Sequence, residues 1–323
     1  MTKHHLPGLL IYCNYQWAFC SGRRFSSVRS RLQGMKIAIL GGDRRQLILI
    51  AELIRLGAII QVIGLPTDPD TRIRDCGSVA EAINGADVVI LPMPGTNDEG
   101  KIHAVYSKTA LLLTPEIMER IPKEVPILVG AAKPYLKNLA ATQGSKLIEI
   151  AENDDVAILN SIPSAEGAIQ IAMEESLITI HGSNSFVLGF GRCGITLARM
   201  LWGLGAKVTA VARKSADLAR IYETGYQACT FSQLEDLIED ADFIFNTVPS
   251  PVLAAGLLKK AKPEMVIVDI ASTPGGTDFK AAANLGIKAI LAPGLPGKVA
   301  PKTAGEILAR VVPDLITSAL GLN

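Results

Sequence analysis

A chain of 323 residues is long enough for about two domains of roughly 150 residues each. Its formal net charge of +1, with 20% charged residues in near balance, lacks the clustered positive field a nucleic-acid binder needs. The hydrophobic fraction of 49% supplies real cores, yet no apolar run approaches the ~20 residues that span a bilayer. The five cysteines (Cys13, Cys20, Cys76, Cys193 and Cys229) are odd in number and show no metal-ligand spacing. That pattern points away from a disulfide framework or a metal site and toward a reducing cytoplasm.

Residues 1–34 contain no acid, several arginines and scattered aromatics. They read as a disordered extension, a targeting segment, or residues upstream of a start at Met35. Their removal is expected to leave folding and activity intact. From Met35 the chain alternates short apolar runs with helical periodicity. Met35–Leu40 reads as a buried strand, Gly41-Gly42 as a turn, and Asp43 as the cap of a helix with apolar positions Leu47, Ile50, Leu53, Ile54 and Leu56. Ala58–Gly64 is the next strand. Further strands are expected at 86–91, 110–113, 126–129, 146–150 and 157–159, with helices at 79–84 and 134–143.

A hinge helix is expected from about Pro163, which suits a first turn, to Ile178. A second strand–turn–helix unit then begins at Ser185. Its strands are expected at 185–188, 207–212, 228–231, 242–248, 265–270 and 288–291, and a last helix runs from about Thr303 to Leu320. Each half has a helix ending Leu-Gly-Ala, and a later Ala-Asp entering an apolar strand that ends in proline. The fold class that follows is α/β: two Rossmann-like, doubly wound parallel-sheet domains joined by a hinge helix. The divisions expected are 35–162 for a substrate-side domain, 163–302 for a nucleotide domain, and 303–323 for the C-terminal helix.

The chemistry concentrates at Gly189-Phe190-Gly191-Arg192-Cys193-Gly194. A bare G-x-G-x-x-G is weak, but here a strand precedes it, a helix follows, and a second strand ends about 20 residues on. Gly189 allows the tight turn, Gly191 the approach of a diphosphate, and Gly194 close helix–strand packing. The next strand ends at Arg213-Lys214-Ser215, where an NAD-selective site usually carries an acid. A charged hydrogen bond of about 1.5–3 kcal/mol gives one to two decades of preference for the 2′-phosphate of NADP over NAD. Thr247, Val248 and Pro249, at a later strand end, would lie along the cofactor. The first domain lacks the fingerprint; Arg44 and Arg45 read there as carboxylate ligands, or as exposed helix charge. Lys298 and Lys302, before the last helix, are candidates for an anionic substrate, or plain surface lysines. Glu166 is a candidate acid–base group, or a first-turn helix residue. Of the four histidines (His4, His5, His103 and His181), none lies where a 2-hydroxyacid dehydrogenase would need its acid–base group, and His181 reads as packing or exposure rather than catalysis.

Four stretches together resemble the dipicolinate synthase A-subunit family of spore-forming bacteria: Gly-Gly-Asp-Arg-Arg-Gln at 41–46, Pro-Ser-Ala-Glu-Gly-Ala-Ile-Gln at 163–170, Val-Leu-Gly-Phe-Gly-Arg-Cys-Gly at 187–194 and Ala-Pro-Gly-Leu-Pro-Gly-Lys-Val-Ala-Pro-Lys-Thr-Ala-Gly at 292–305. The resemblance covers about 35–320. It implies a fold similar to alanine dehydrogenase and S-adenosylhomocysteine hydrolase, with the last helix returning to the first domain. It also implies NADP-dependent oxidation of a dihydrodipicolinate-type precursor during sporulation, with the flavoprotein-like B-subunit of dipicolinate synthase; an oligomer is expected. Arg44, Arg45, Lys298 and Lys302 would then clamp two carboxylates, and Glu166 would serve a dehydration. An amino-acid or imine dehydrogenase, and a non-catalytic NADP-binding partner of the B-subunit, are the alternatives.

Overall fold

The protein was studied as a computed structural model, which describes residues 31–322. The first domain runs β1 (Lys36–Leu40), α1 (Arg44–Arg55), β2 (Ile59–Ile63), β3 (Ile73–Asp75), α2 (Val79–Ile83), β4 (Val88–Ile90), α3 (Pro115–Met118), β5 (Ile127–Val129), α4 (Pro134–Gln143) and β6 (Leu147–Glu149). The long helix α5 (Asp154–Glu175) leads to the second domain. That domain comprises β7 (Asn184–Leu188), α6 (Arg192–Gly203), β8 (Lys207–Val211), α7 (Ser215–Glu223), β9 (Gln227–Cys229), α8 (Leu234–Leu237), β10 (Phe243–Asn246), α9 (Ala255–Leu258), β11 (Val266–Asp269), α10 (Phe279–Asn284) and β12 (Lys288–Leu291). Two helices close the chain, α11 (Leu295–Val299) and α12 (Pro301–Ala319).

Both domains hold a six-stranded sheet, ordered β3-β2-β1-β4-β5-β6 and β9-β8-β7-β10-β11-β12, and every strand pair is parallel. The internal echo in the sequence is thus an echo of topology. Alternation along β1 shows why both faces are covered: Ile37 and Ile39 join one core, Ala38 and Leu40 the other. In each sheet the order reverses between two central strands, β1 and β4 in the first and β7 and β10 in the second. The loops leaving those strands form the crevice where ligands of open α/β sheets bind.

The last helix packs on α1, and its Ile307, Leu308, Val311, Val312 and Ile316 belong to the first domain's core. The C-terminal segment therefore returns to the N-terminal domain.

Several sequence expectations change. The hinge helix starts at Asp154, a full two turns before Pro163, and ends at Glu175. Asn153 caps it by accepting from Val156 N, Asp154 and Asp155 favour its first turn, and Pro163 sits in its interior. The strand expected at 157–159 is part of this helix; three apolar residues cannot distinguish the two periods. Residues 110–113 form no strand, only a bridge between Leu112 and Lys101. The boundary expected at 34/35 also moves. Leu32 is fully buried in the first domain's core, Gly34 N donates to Gly57 O at 2.9 Å, and Arg31 pairs with Asp314 at 2.8 Å. Residues 1–30, which carry most of the expected extension, lie outside the described residues. The last helix begins at Pro301, and Lys298 lies within α11. Among the described residues, no helix is long and apolar enough to cross a membrane.

Candidate active site

The fingerprint loop has the geometry its glycines imply. Gly189 has φ +92°, and a Cβ there would stand 2.5 Å from Thr247 Oγ1 and 2.9 Å from Val248 Cγ2. The turns after β7 and β10 thus press together at the switch point, and Thr247 Oγ1 donates to Leu188 O at 2.8 Å. A Cβ on Gly194 would lie 2.0 Å from Gly189 O, so α6 can approach β7 this closely only with glycine there. A Cβ on Gly191 would meet nothing within 4 Å. Gly191 caps α6 with no side chain, leaving the first N–H groups of a twelve-residue helix facing open space. This cradle fits a dinucleotide diphosphate.

The other fingerprint residues have contacts of their own. Phe190 is buried and meets Tyr226 edge-on at 6.5 Å. Arg192 reaches back to Asp154 at the start of α5, at 3.0 Å. Burial pushes the half-buried Cys193 thiol up, with the Arg192 charge partly opposing it. Arg213 and Lys214 are exposed just beyond β8, and Lys214 stands at the N-cap of α7 with no side-chain cap. Ser215 opens that helix, and Pro249 is exposed at the crevice edge beyond Thr247 and Val248.

A buried polar network holds the loops of this crevice, and no motif in the sequence singles it out. Asn246 and Asp269 end β10 and β11, and both are fully buried. Asp269 Oδ2 accepts from Asn246 Nδ2 (3.0 Å), Gly276 N (2.8 Å) and Thr277 Oγ1 (2.8 Å), while Oδ1 accepts from Ala271 N (3.1 Å). Asn246 in turn brackets Val248, accepting from its N and donating to its O, both at 3.0 Å. The signal in the sequence was a single polar residue ending each apolar strand.

On the first domain's side, Asp43 closes a capping box with Gln46 and binds the Arg45 guanidinium through Nε and Nη2, the latter at 2.7 Å. Burial raises the carboxyl's proton affinity, but Arg45's hydrogen bonds and charge, with a contribution from His103, outweigh it and hold Asp43 below the usual carboxylate range. Arg45 is itself buried, and a Cβ on Gly297 of α11 would fall 2.8 Å from its Cζ. The stretches of Arg45 and Lys298 therefore meet where α11 packs against α1. Arg45 meets its acid within its own turn, however, and Arg44, Lys298 and Lys302 are the exposed cations; Lys302 lies 3.9 Å from Glu306.

Glu166 is not brought to this cluster. It falls on the outward stripe of α5 with Ile162, Gln170 and Met173, whereas Gly167 faces α11. His181 is exposed, with its Nδ1 3.2 Å from Leu204 O. His103, by contrast, stands over the first sheet's switch point. Its carbonyl accepts from Gly42 N at 2.8 Å and its N donates to Gly95 O at 3.1 Å. No local pattern marks it, because the loop after β4 returns over the end of β1.

Residues 36–151 match the family model of the dipicolinate synthase A-subunit N-terminal domain. Residues 164–274 match the D-isomer specific 2-hydroxyacid dehydrogenase, NAD binding domain. The chain is 44% identical over 287 residues to the dipicolinate synthase A-subunit of Bacillus subtilis (strain 168), covering 88% of this chain and 97% of that one. The crystal structure of the dipicolinate synthase A-subunit from Bacillus halodurans superposes with a TM-score of 0.85 at 40% identity, covering 88% and 98%. An L-alanine dehydrogenase, at 16% identity and TM-score 0.60 over 89% and 91%, shares the fold alone. The nucleotide-binding domain is that of an NAD(P)-dependent oxidoreductase. With close identity along nearly the full length of its Bacillus relative, the chain belongs to the dipicolinate synthase A-subunit family.

Proposed function

We infer that this oxidoreductase uses NADP to convert a dihydropyridine dicarboxylate to dipicolinate. The observation that carries the reading is the glycine cradle at 189–194 with Arg213 and Lys214 at the end of the next strand. When bound, a nicotinamide dinucleotide supplies a two-electron hydride acceptor. The chain's own groups do the rest. The α6 N-terminus and Gly191 bind the diphosphate. Arg213, Lys214 and Ser215 take the 2′-phosphate, which favours NADP over NAD. Thr247, Val248 and Pro249, held by Asn246 and Asp269, line the path toward the substrate.

The substrate carries two carboxylates, and Arg44, Lys298 and Lys302 are the cations offered to them from α1, α11 and the start of α12. Arg45, locked by Asp43, fixes the seam on which those helices meet. Loss of a hydride and a proton makes an aromatic ring, so the equilibrium favours product. The relatives are named as one lettered part of a synthase, which points to a companion B-subunit. The cysteine usage points to a cytoplasmic enzyme and the family resemblance to sporulating cells; an oligomer is expected.

Two measurements test this. Calorimetry on Arg213→Asp is expected to show NADP affinity falling at least tenfold relative to NAD, in line with the 1.5–3 kcal/mol of a charged hydrogen bond. Purified chain with the B-subunit, given dihydropyridine dicarboxylate and NADP, is expected to form reduced dinucleotide and dipicolinate. Turnover of alanine or another amino acid instead would reassign the substrate.

A further inference from the structure

The switch point of the first sheet lies between β1 and β4, and a titratable side chain stands there that neither the cofactor cradle nor the carboxylate cations employ. Residue 103 is bonded to both flanking loops, to Gly42 beyond β1 and to Gly95 beyond β4. Val105 N adds a bond to Gly42 O at 2.9 Å, so residues 103–105 run as a short ribbon across the end of β1. A Cβ at Gly41 would fall 2.7 Å from His103 O, which makes glycine the condition for this crossing. The backbone of residue 103 is thereby fixed while its side chain stays exposed, within electrostatic reach of Asp43, whose partner Arg45 lies against α11. The same loop buries Thr96, whose hydroxyl has no hydrogen-bond partner among the described residues. The charged groups on the side His103 faces are Asp43, whose carboxyl it influences, and Arg45, bound to that carboxyl; Lys101 lies two residues before it on its own loop.

We propose that His103 is the catalytic base that takes the ring proton of the substrate. The assignment rests on the oxidation inferred above. In that reaction one ring C–H bond breaks with its electron pair going to the oxidised dinucleotide. The hydrogen on the neighbouring ring atom leaves as a proton to a neutral imidazole nitrogen of His103, and its bonding pair completes the aromatic π system. The proton passes on to water. A base placed by the first domain, with the dinucleotide loop on the second, suits a reaction in which hydride and proton leave to different groups. It also explains how the chain manages without a histidine at the catalytic position of the nucleotide domain.

The test uses the full chain with the B-subunit, as His103→Asn and His103→Ala. Both are expected to lose about two to four decades of kcat/KM, the usual range for a general base. NADP binding by calorimetry and Tm should stay at wild-type values, because residue 103 is bonded through its backbone. The acid limb of the kcat/KM–pH profile should disappear in His103→Asn, and added imidazole should restore part of the His103→Ala activity. Wild-type kcat/KM in both variants, or a variant that keeps the acid limb and gains nothing from imidazole, overturns the assignment while leaving the oxidation standing. A wild-type chain that binds NADP yet never oxidises the dihydropyridine removes both.

Discussion

Gly194 shows how a single missing atom sets an interface. Any Cβ there would overlap Gly189 O at 2.0 Å, so the turn and the helix would have to part, and with them the cradle for the diphosphate. Asp43 shows the same economy with charge. Its carboxylate caps α1 and neutralises a buried guanidinium at once. Asp43→Asn keeps a good capping residue but leaves Arg45 buried without its counter-charge, which is expected to cost about 3 kcal/mol near neutral pH. Because the folded-state pKa is lowered, this contribution is whole above the unfolded value near 3.8 and fades as the pH falls through the folded one. Thermal melts of both proteins should therefore keep their full difference from pH 7 down to about 4, narrow below that, and converge only once the pH is below the lowered folded-state pKa. A gap that stays constant down to low pH would show that the charge is not what stabilises.

Among the elements, the start of the described chain and the long α5 helix are the informative ones. The segment 31–34 looks like the tail of an unstructured extension, with its basic and polar residues, yet Leu32 fills the core beneath α1 and α12. A chain shortened to begin at Met35 is expected to lose about 2–4 kcal/mol relative to one beginning at Arg31, the range for emptying a buried leucine site. Denaturant titration of the two truncations measures it; equal midpoints would show that Leu32 is replaceable by its neighbours. The α5 helix makes the complementary point. Its start was hidden because Pro163 is a strong local signal for a first turn, while Asn153 with two following acids is an equally good one further upstream. The structure realises the earlier signal, because it lets the helix run from the edge of one domain to the other, with Ser161 Oγ and Thr196 Oγ1 in a buried contact of 2.6 Å on α6.

At the scale of the molecule, the first domain is finished by the last helix of the chain. Leu308→Ala, far in sequence from β1 and α1, is expected to destabilise the N-terminal domain by about 2–5 kcal/mol, as for other buried leucines. Hydrogen exchange in β1 and β2 is the measurement: faster exchange there supports the shared core, and acceleration confined to α12 argues against it. The sequence by itself determined the two parallel-sheet domains, the glycine fingerprint and the cation that follows β8. All of these rest on local rules: apolar runs of strand length, turn chemistry, and a fixed spacing from glycine to strand end. Only the tertiary structure decided that Arg45 turns inward to Asp43, that Glu166 points out from α5, and that Asn246 and Asp269 tie the crevice loops together. It also decided that a loop carries His103 across the end of β1. Those facts depend on contacts between residues far apart in the chain, and no local periodicity encodes which face of a helix another domain will cover or where a returning loop will come to rest.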